Sequence, residues 1–241
     1  MNKLLTLLLA FLAMPASAQQ ADSMQWSITP YIWASHTNVD LEFRGNDLGG
    51  DSISFNDLLD QIDTAAMIHI EGGRGSWSTF ADLTYLETSN TDVRPLLTVD
   101  TESETTVLDA GVAYWPAGVG SAWSVIGGVR YSGFDDRYRF GFEGEELATR
   151  RNTADYYDAL IGIRYRFEFS PRWSLATHAD VSFGDSEGTY VLRAMFAYTV
   201  GKRQKNRLLF GYQYKQAEFR DGDLRTDFSY YGPLAGFDFR F

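Results

Sequence analysis

Residues 157–169 read YDALIGIRYRFEF. The odd positions, Tyr157, Ala159, Ile161, Ile163, Tyr165, Phe167 and Phe169, are all apolar or aromatic. The even positions hold Asp158, Arg164, Arg166 and Glu168, with Leu160 and Gly162 between them. A period of two residues is that of a β-strand, whose successive side chains point to opposite faces. One face of this strand is fully apolar and the other is charged. The alternation returns in Trp173, Leu175, Val181 and Phe183 against His178, Asp180 and Ser182. It returns again in Tyr190, Leu192, Phe196 and Tyr198 against Arg193, and in Leu208, Phe210, Tyr212 and Tyr214 against Gln213 and Lys215.

Ten such segments follow one another, at 24–35, 64–73, 77–90, 100–115, 122–140, 151–169, 172–184, 188–200, 206–219 and 226–241. Tight connections (GRGS at 73–76, PAGVGS at 116–121, Ser170-Pro171) alternate with longer polar ones such as GFEGEELATR at 141–150 and RDGDLRT at 220–226. The expected fold is therefore all-β: a transmembrane antiparallel up-and-down β-barrel of about ten strands. Eight or twelve strands are the alternatives, depending on how 37–56 and 97–108 pair. Volume decides which face is outside. Four to six large residues from each of ten strands would overfill so small a barrel, whereas they fit against lipid. Trp26, Trp77, Trp115, Trp123 and Trp173 near strand ends are read as interfacial girdles.

The first 18 residues, with Lys3, an apolar run from Leu4 to Met14 and Ala16-Ser17-Ala18, are read as a cleaved signal peptide. Residues 19–241 form the barrel domain. There is no cysteine, which excludes disulfides, thiolate metal sites and a lipid anchor. A net charge of −11 argues against nucleic acid as a partner. Near the C-terminus Phe237, Phe239 and Phe241 alternate with Asp238 and Arg240. That ending resembles the C-terminal signal of Gram-negative outer-membrane barrels, which implies outer-membrane localisation, insertion by the barrel-assembly machinery, and lipid and lipopolysaccharide as surroundings. ITPYIWAS (28–35), SISFNDLLDQIDTAAMIHIE (52–71) and WSTFADLTYLE (77–87) resemble a family of small porin-like outer-membrane proteins of unassigned function. Such a resemblance implies a fold and a place more than a solute.

Chemistry has to be sought on the polar face, which in this register lines the lumen. It carries the acids Glu71, Asp82, Asp109, Asp158, Glu168, Asp180 and Asp238, and the bases Arg130, Arg164, Arg166, Arg193, Lys215 and Arg240. Seven acids against six bases favour a paired interior over a pore selective for one sign. His178 and Asp180, two apart on one face, are candidates for half of a hydrolytic site, as are His69 with Glu71 and, at the outer rim, His36 with Asp40; no nucleophile is assigned. In the long first connection, Ser54 and Asp57 form a capping box for a short helix carrying Phe55, Leu58, Leu59 and Ile62 on one face, as a plug, a lid or a rim element. Asp47 and Asp51 among glycines could offer oxygen to calcium, but not at EF-hand spacing. No cofactor or resident metal is expected, and the oligomeric state is open. The sequence points to a barrel with a narrow or plugged polar lumen, acting as a passive small-solute channel or an envelope-structural protein, with a lipid- or peptide-modifying hydrolase as the alternative.

Overall fold

A computed structural model describes residues 23–93, 97–142, 145–201 and 206–241. Residues 1–18, read above as a signal peptide, lie outside the described residues. Twelve strands and one short helix are present: β1 (Gln25–Trp33), β2 (His36–Phe43), β3 (Asn46–Ile53), α1 (Phe55–Leu59), β4 (Ile62–Arg74), β5 (Trp77–Val93), β6 (Leu97–Tyr114), β7 (Trp123–Phe142), β8 (Glu145–Glu168), β9 (Trp173–Gly184), β10 (Gly188–Val200), β11 (Asn206–Asp221) and β12 (Leu224–Arg240). β1 and β4 to β12 pair in order, all antiparallel, and β12 pairs back onto β1, closing a ring of ten. The seam is pinned at its base by two reciprocal bonds of 3.1 Å between the backbones of Trp26 and Phe241. No helix among the described residues is long and apolar enough to cross a membrane; the crossing is made by strands.

β2 and β3 are the two strands outside the ring. The β1–β4 ladder ends at Pro30, opposite Ile68, where the missing proline N–H cannot extend it. The chain nevertheless keeps following β12: Ala34 donates to the Pro233 carbonyl at 2.9 Å, and β2 pairs with the outer half of β12 from His36–Tyr231 to Phe43–Leu224. β3 folds back on β2 as a hairpin. The segment expected to be a loop with a four-residue apolar helix face is thus mostly strand. α1 is capped as expected, with the Ser54 hydroxyl accepting from the Asp57 N–H, but it stops at Leu59, and Ile62 already belongs to β4.

Facing follows the two-residue period. Ile161 is 53% exposed and Val181, Leu192, Leu208 and Phe210 are similarly open, while their inward neighbours Leu160, Asp180 and Val191 are buried. So much exposed hydrocarbon around the circumference is stable only against lipid. Phe239 and Phe241 are on this outer surface, and Phe237 packs on Phe239 at 4.5 Å.

Three expected connections are strand instead. β7 extends to Phe142 and β8 starts at Glu145, β6 begins at Leu97, and β11 and β12 are joined by Gly222-Asp223, with Gly222 at φ 59°. The apolar alternation stops there because lipid stops, yet the ladder continues on paired charges: Arg151 with Asp135, and Arg137 and Arg139 with Glu102. β9, by contrast, ends at Gly184, so β8 above Asp158 pairs only with β7. The outer wall is tall at β7–β8 and low at β9–β10.

Replacing a lipid-facing residue with a charge should unfold this ring. Ile161→Arg is expected to lose about 2–4 kcal/mol if it lies near the bilayer midplane, measured as a shifted midpoint in urea unfolding from lipid vesicles.

Candidate functional site

The inward faces of the strands enclose a cavity of about 340 Å³. Its wall includes eleven of the residues assigned to the lumen from sequence: Glu71, Asp82, Asp109, Arg130, Arg164, Arg166, Asp180, Arg193, Lys215, Asp238 and Arg240. Two are placed elsewhere. Asp158 is buried among serines, accepting from the Ser182 and Ser186 hydroxyls and the Ser186 N–H. Glu168 is exposed at the last β8–β9 pair. None of residues 36–66 lines the cavity, so neither α1 nor the β2–β3 hairpin plugs it.

The base is apolar. Trp115, expected in the girdle, is 5% exposed inside the barrel with Phe80, Ala113, Ile126 and Leu160, and Val119 packs beneath them. The cause is local. The Trp115 indole N–H donates to the Ser78 hydroxyl at 2.9 Å, and the turn that follows docks upward, Val119 donating to the Gly75 carbonyl at 2.7 Å. Trp77 and Trp123 do face outward.

Above this floor the charges meet across the lumen. Glu71 on β4 accepts from Arg164 on β8 at 2.9 Å. Asp82 on β5 accepts from the Tyr31 hydroxyl at 2.7 Å, lies 3.1 Å from His69 Nδ1, and lies 3.7 Å from Arg193 on β10, five strands away around the ring. Arg193 also donates to Gln213 at 2.5 Å. Arg130, only 2% exposed, donates to both oxygens of Asp109 at 2.7 Å, to Asp180 at 3.0 Å and to Ser182 at 3.3 Å. A guanidinium fork suits this double carboxylate load better than a lysine would.

A third tier was not read from the sequence. Phe134 on β7 stacks on Phe228 of β12 at 6.3 Å and 9°, again across the full ring, and meets Phe219 of β11 edge-on at 5.3 Å. Tyr156, Phe219, Tyr230 and Trp33 extend the cluster. The signal was present: Phe134 shares the parity of Arg130, and Phe219 that of Gln213 and Lys215. The same parity assigns Arg207 to the lumen, where it lines the cavity. With it, seven cations (Arg130, Arg164, Arg166, Arg193, Arg207, Lys215, Arg240) face five carboxylates (Glu71, Asp82, Asp109, Asp180, Asp238). The wall carries an excess of positive charge, where a near balance was expected.

His178 lies 2.5 Å from Asp180 through Nε2, but that carboxylate also holds Arg130. The nearby Ser182 hydroxyl accepts from Arg130 and donates to Asp158, so among the described residues no base–nucleophile pair forms around His178. His69 is held between Asp82 and, at 3.5 Å, Glu71. His36 lies on β2 with its ring 5.0 Å from that of Tyr231. Asp47 and Asp51 each accept a backbone N–H at 2.7 Å on β3, and the described residues hold no group of three or more metal-ligating side chains.

Arg130 is the interior's main charge clamp, and losing one partner of a buried ion set is costly because the others stay unpaired. Arg130→Met is expected to lose about 3–5 kcal/mol, with partial recovery by Arg130→Lys, in the same urea unfolding assay.

No family model matches the chain, and no curated protein matches it. Among solved structures it resembles the Yersinia pestis attachment invasion locus protein Ail (10% identity, 90% of this chain and 99% of that one, TM-score 0.39). It also resembles the Escherichia coli outer membrane protease OmpT (10%, 91% and 97%, TM-score 0.46) and the transport unit of the Escherichia coli autotransporter AIDA-I (9%, 94% and 93%, TM-score 0.37). Likenesses this distant transfer no activity. Closure of ten strands, a lipid-compatible exterior and a polar interior together make this chain a membrane-spanning antiparallel β-barrel.

Proposed function

We propose that the protein is a narrow, passive outer-membrane channel that prefers anions and is held closed at rest by contacts across its own lumen. The observation that carries this reading is the charge of the wall, seven cations against five carboxylates, in a chain whose net charge is −11. The surplus is not spread evenly. Arg166, Arg207 and Arg240 gather with Asp238 and Glu168 toward the end of the barrel that holds the C-terminus and the short turns, the periplasmic end in outer-membrane barrels, three cations to two carboxylates. A group of like charges at a pore mouth sets ion preference. The Asp82–Arg193 bridge and the Phe134–Phe228 stack are the two closures, one ionic and one apolar. An apolar constriction resists wetting, which gates ions without a moving domain.

Planar-bilayer recording of refolded protein tests this. Wild type is expected to open rarely. Phe134→Ala combined with Arg193→Ala should raise the open probability and conductance, with a reversal potential in a salt gradient of the sign for anion flow. Arg207→Glu with Arg240→Glu should move that potential toward cations. Silence from every folded variant, or cation preference in wild type, would sink the reading in favour of an envelope-structural role. The protein is read as a non-enzyme, so His178→Ala is expected to leave conduction intact.

A further inference from the structure

The two closures have a chamber between them. On β11 the inward residues run from Gln213, bound to Arg193 in the ionic tier, through Lys215 and Ala217 to Phe219 in the aromatic tier. On β7 the same ascent runs from Arg130 through Ser132 to Phe134. Around Lys215 the chamber wall is apolar: Val191, registered directly opposite it on β10, with Ala217 and Phe219 above it on its own strand and Tyr230 beside it on β12.

Lys215 has no hydrogen bond or ion pair among the described residues, although it lines the cavity. The carboxylates whose fields reach it, Asp82, Asp109 and Asp180, are committed elsewhere: the first to Tyr31, His69 and Arg193, the others to Arg130. Arg130 itself adds to the positive potential at Lys215. An ammonium that faces a narrow, low-dielectric lumen without a paired counter-charge attracts an arriving anion. Directly across the β11–β12 ladder, Lys215 is paired with Tyr230, whose ring lies 6.1 Å from that of Trp33. Trp33 is 9% exposed and its indole N–H has no acceptor. The chamber therefore offers a free cation and an aromatic wall within one continuous lining.

We infer that this chamber binds a small carboxylate carrying an aromatic or compact apolar body, the carboxylate on Lys215 and the body between the Val191–Ala217 wall and the aromatic tier. The whole lumen encloses about 340 Å³, so the part between the two tiers has room for a single-ring acid at most. The inference rests on the proposed anion path, because it names the class of anion that path would hold, but it can fail separately.

Isothermal titration of the refolded barrel in detergent with phenylacetate, phenylacetamide and acetate separates the parts. Phenylacetate should bind at least about tenfold more tightly than either comparator, the scale of a hydrogen bond to a charged group. Lys215→Met should erase the advantage over phenylacetamide, and Lys215→Arg should restore it. Equal affinity for acid and amide, or an unchanged preference in folded Lys215→Met, overturns the site. Bilayers of the same preparation show which reading has failed. Anion conduction without phenylacetate selectivity removes the site alone, whereas selectivity with silent bilayers removes the channel and leaves the site standing.

Discussion

Hydrocarbon offers no partner to a backbone N–H or carbonyl, and the rest of this structure depends on that constraint. It forces the ten strands into a closed ring and makes the β1–β12 seam, pinned by Trp26 and Phe241, as indispensable as any core contact. It also accounts for the departure at Pro30. Once the proline ends the β1–β4 ladder, the chain keeps its other edge on β12 through Ala34 and β2. The wall remains bonded to β12 while the first hairpin rises beside it.

Closure has a second consequence. A ten-stranded ring is narrow, so long inward side chains from opposite strands must meet. Charges that would be solvated in a wide porin are here brought within bonding distance of one another, as Glu71 is with Arg164 and Asp82 with Arg193. Pairing spends carboxylates on cations in fixed ratios, and the wall has fewer carboxylates than cations. What is left over, Lys215 in the middle and the arginines near the periplasmic end, is the part of the lumen still able to act on a solute.

The two-residue period made the ring legible from sequence. Tyr157 to Phe169 alone separates a lipid face from a lumen face, and that division holds in the structure. Two kinds of feature escaped it. Aromatic residues with inward parity, Phe134, Phe219 and Trp33, look like lipid-facing residues unless each is counted against its own strand, because hydrophobicity does not say which solvent is avoided. Trp115 was read by its position near a strand end, yet its N–H finds Ser78 and pulls the ring inside. The outer strand extensions escaped for the opposite reason. Beyond the bilayer nothing requires alternation, so ladders held by Arg151–Asp135 carry no periodic signal. The tertiary pairings at Asp82 and Arg130 join residues tens of positions apart, and no local pattern predicts them.

The chain's acidity and its basic lumen are reconciled by where the charge sits. Asp40, Glu42, Asp47 and Asp51 lie on the β2–β3 hairpin, and Glu102, Asp135 and Asp136 on the outer parts of β6 and β7, all at the end of the barrel that the long strands extend. Exposed charges there are screened over about 8 Å at physiological salt. Cations inside the ring face low-dielectric walls and are screened far less. A solute therefore feels the sign of the interior more strongly than that of the rim once it has entered. In the proposed channel an acidic rim would slow the approach of an anion without cancelling the pull of the interior. Net charge describes the surface of this protein, whereas the sign a solute meets inside is that of the lumen wall.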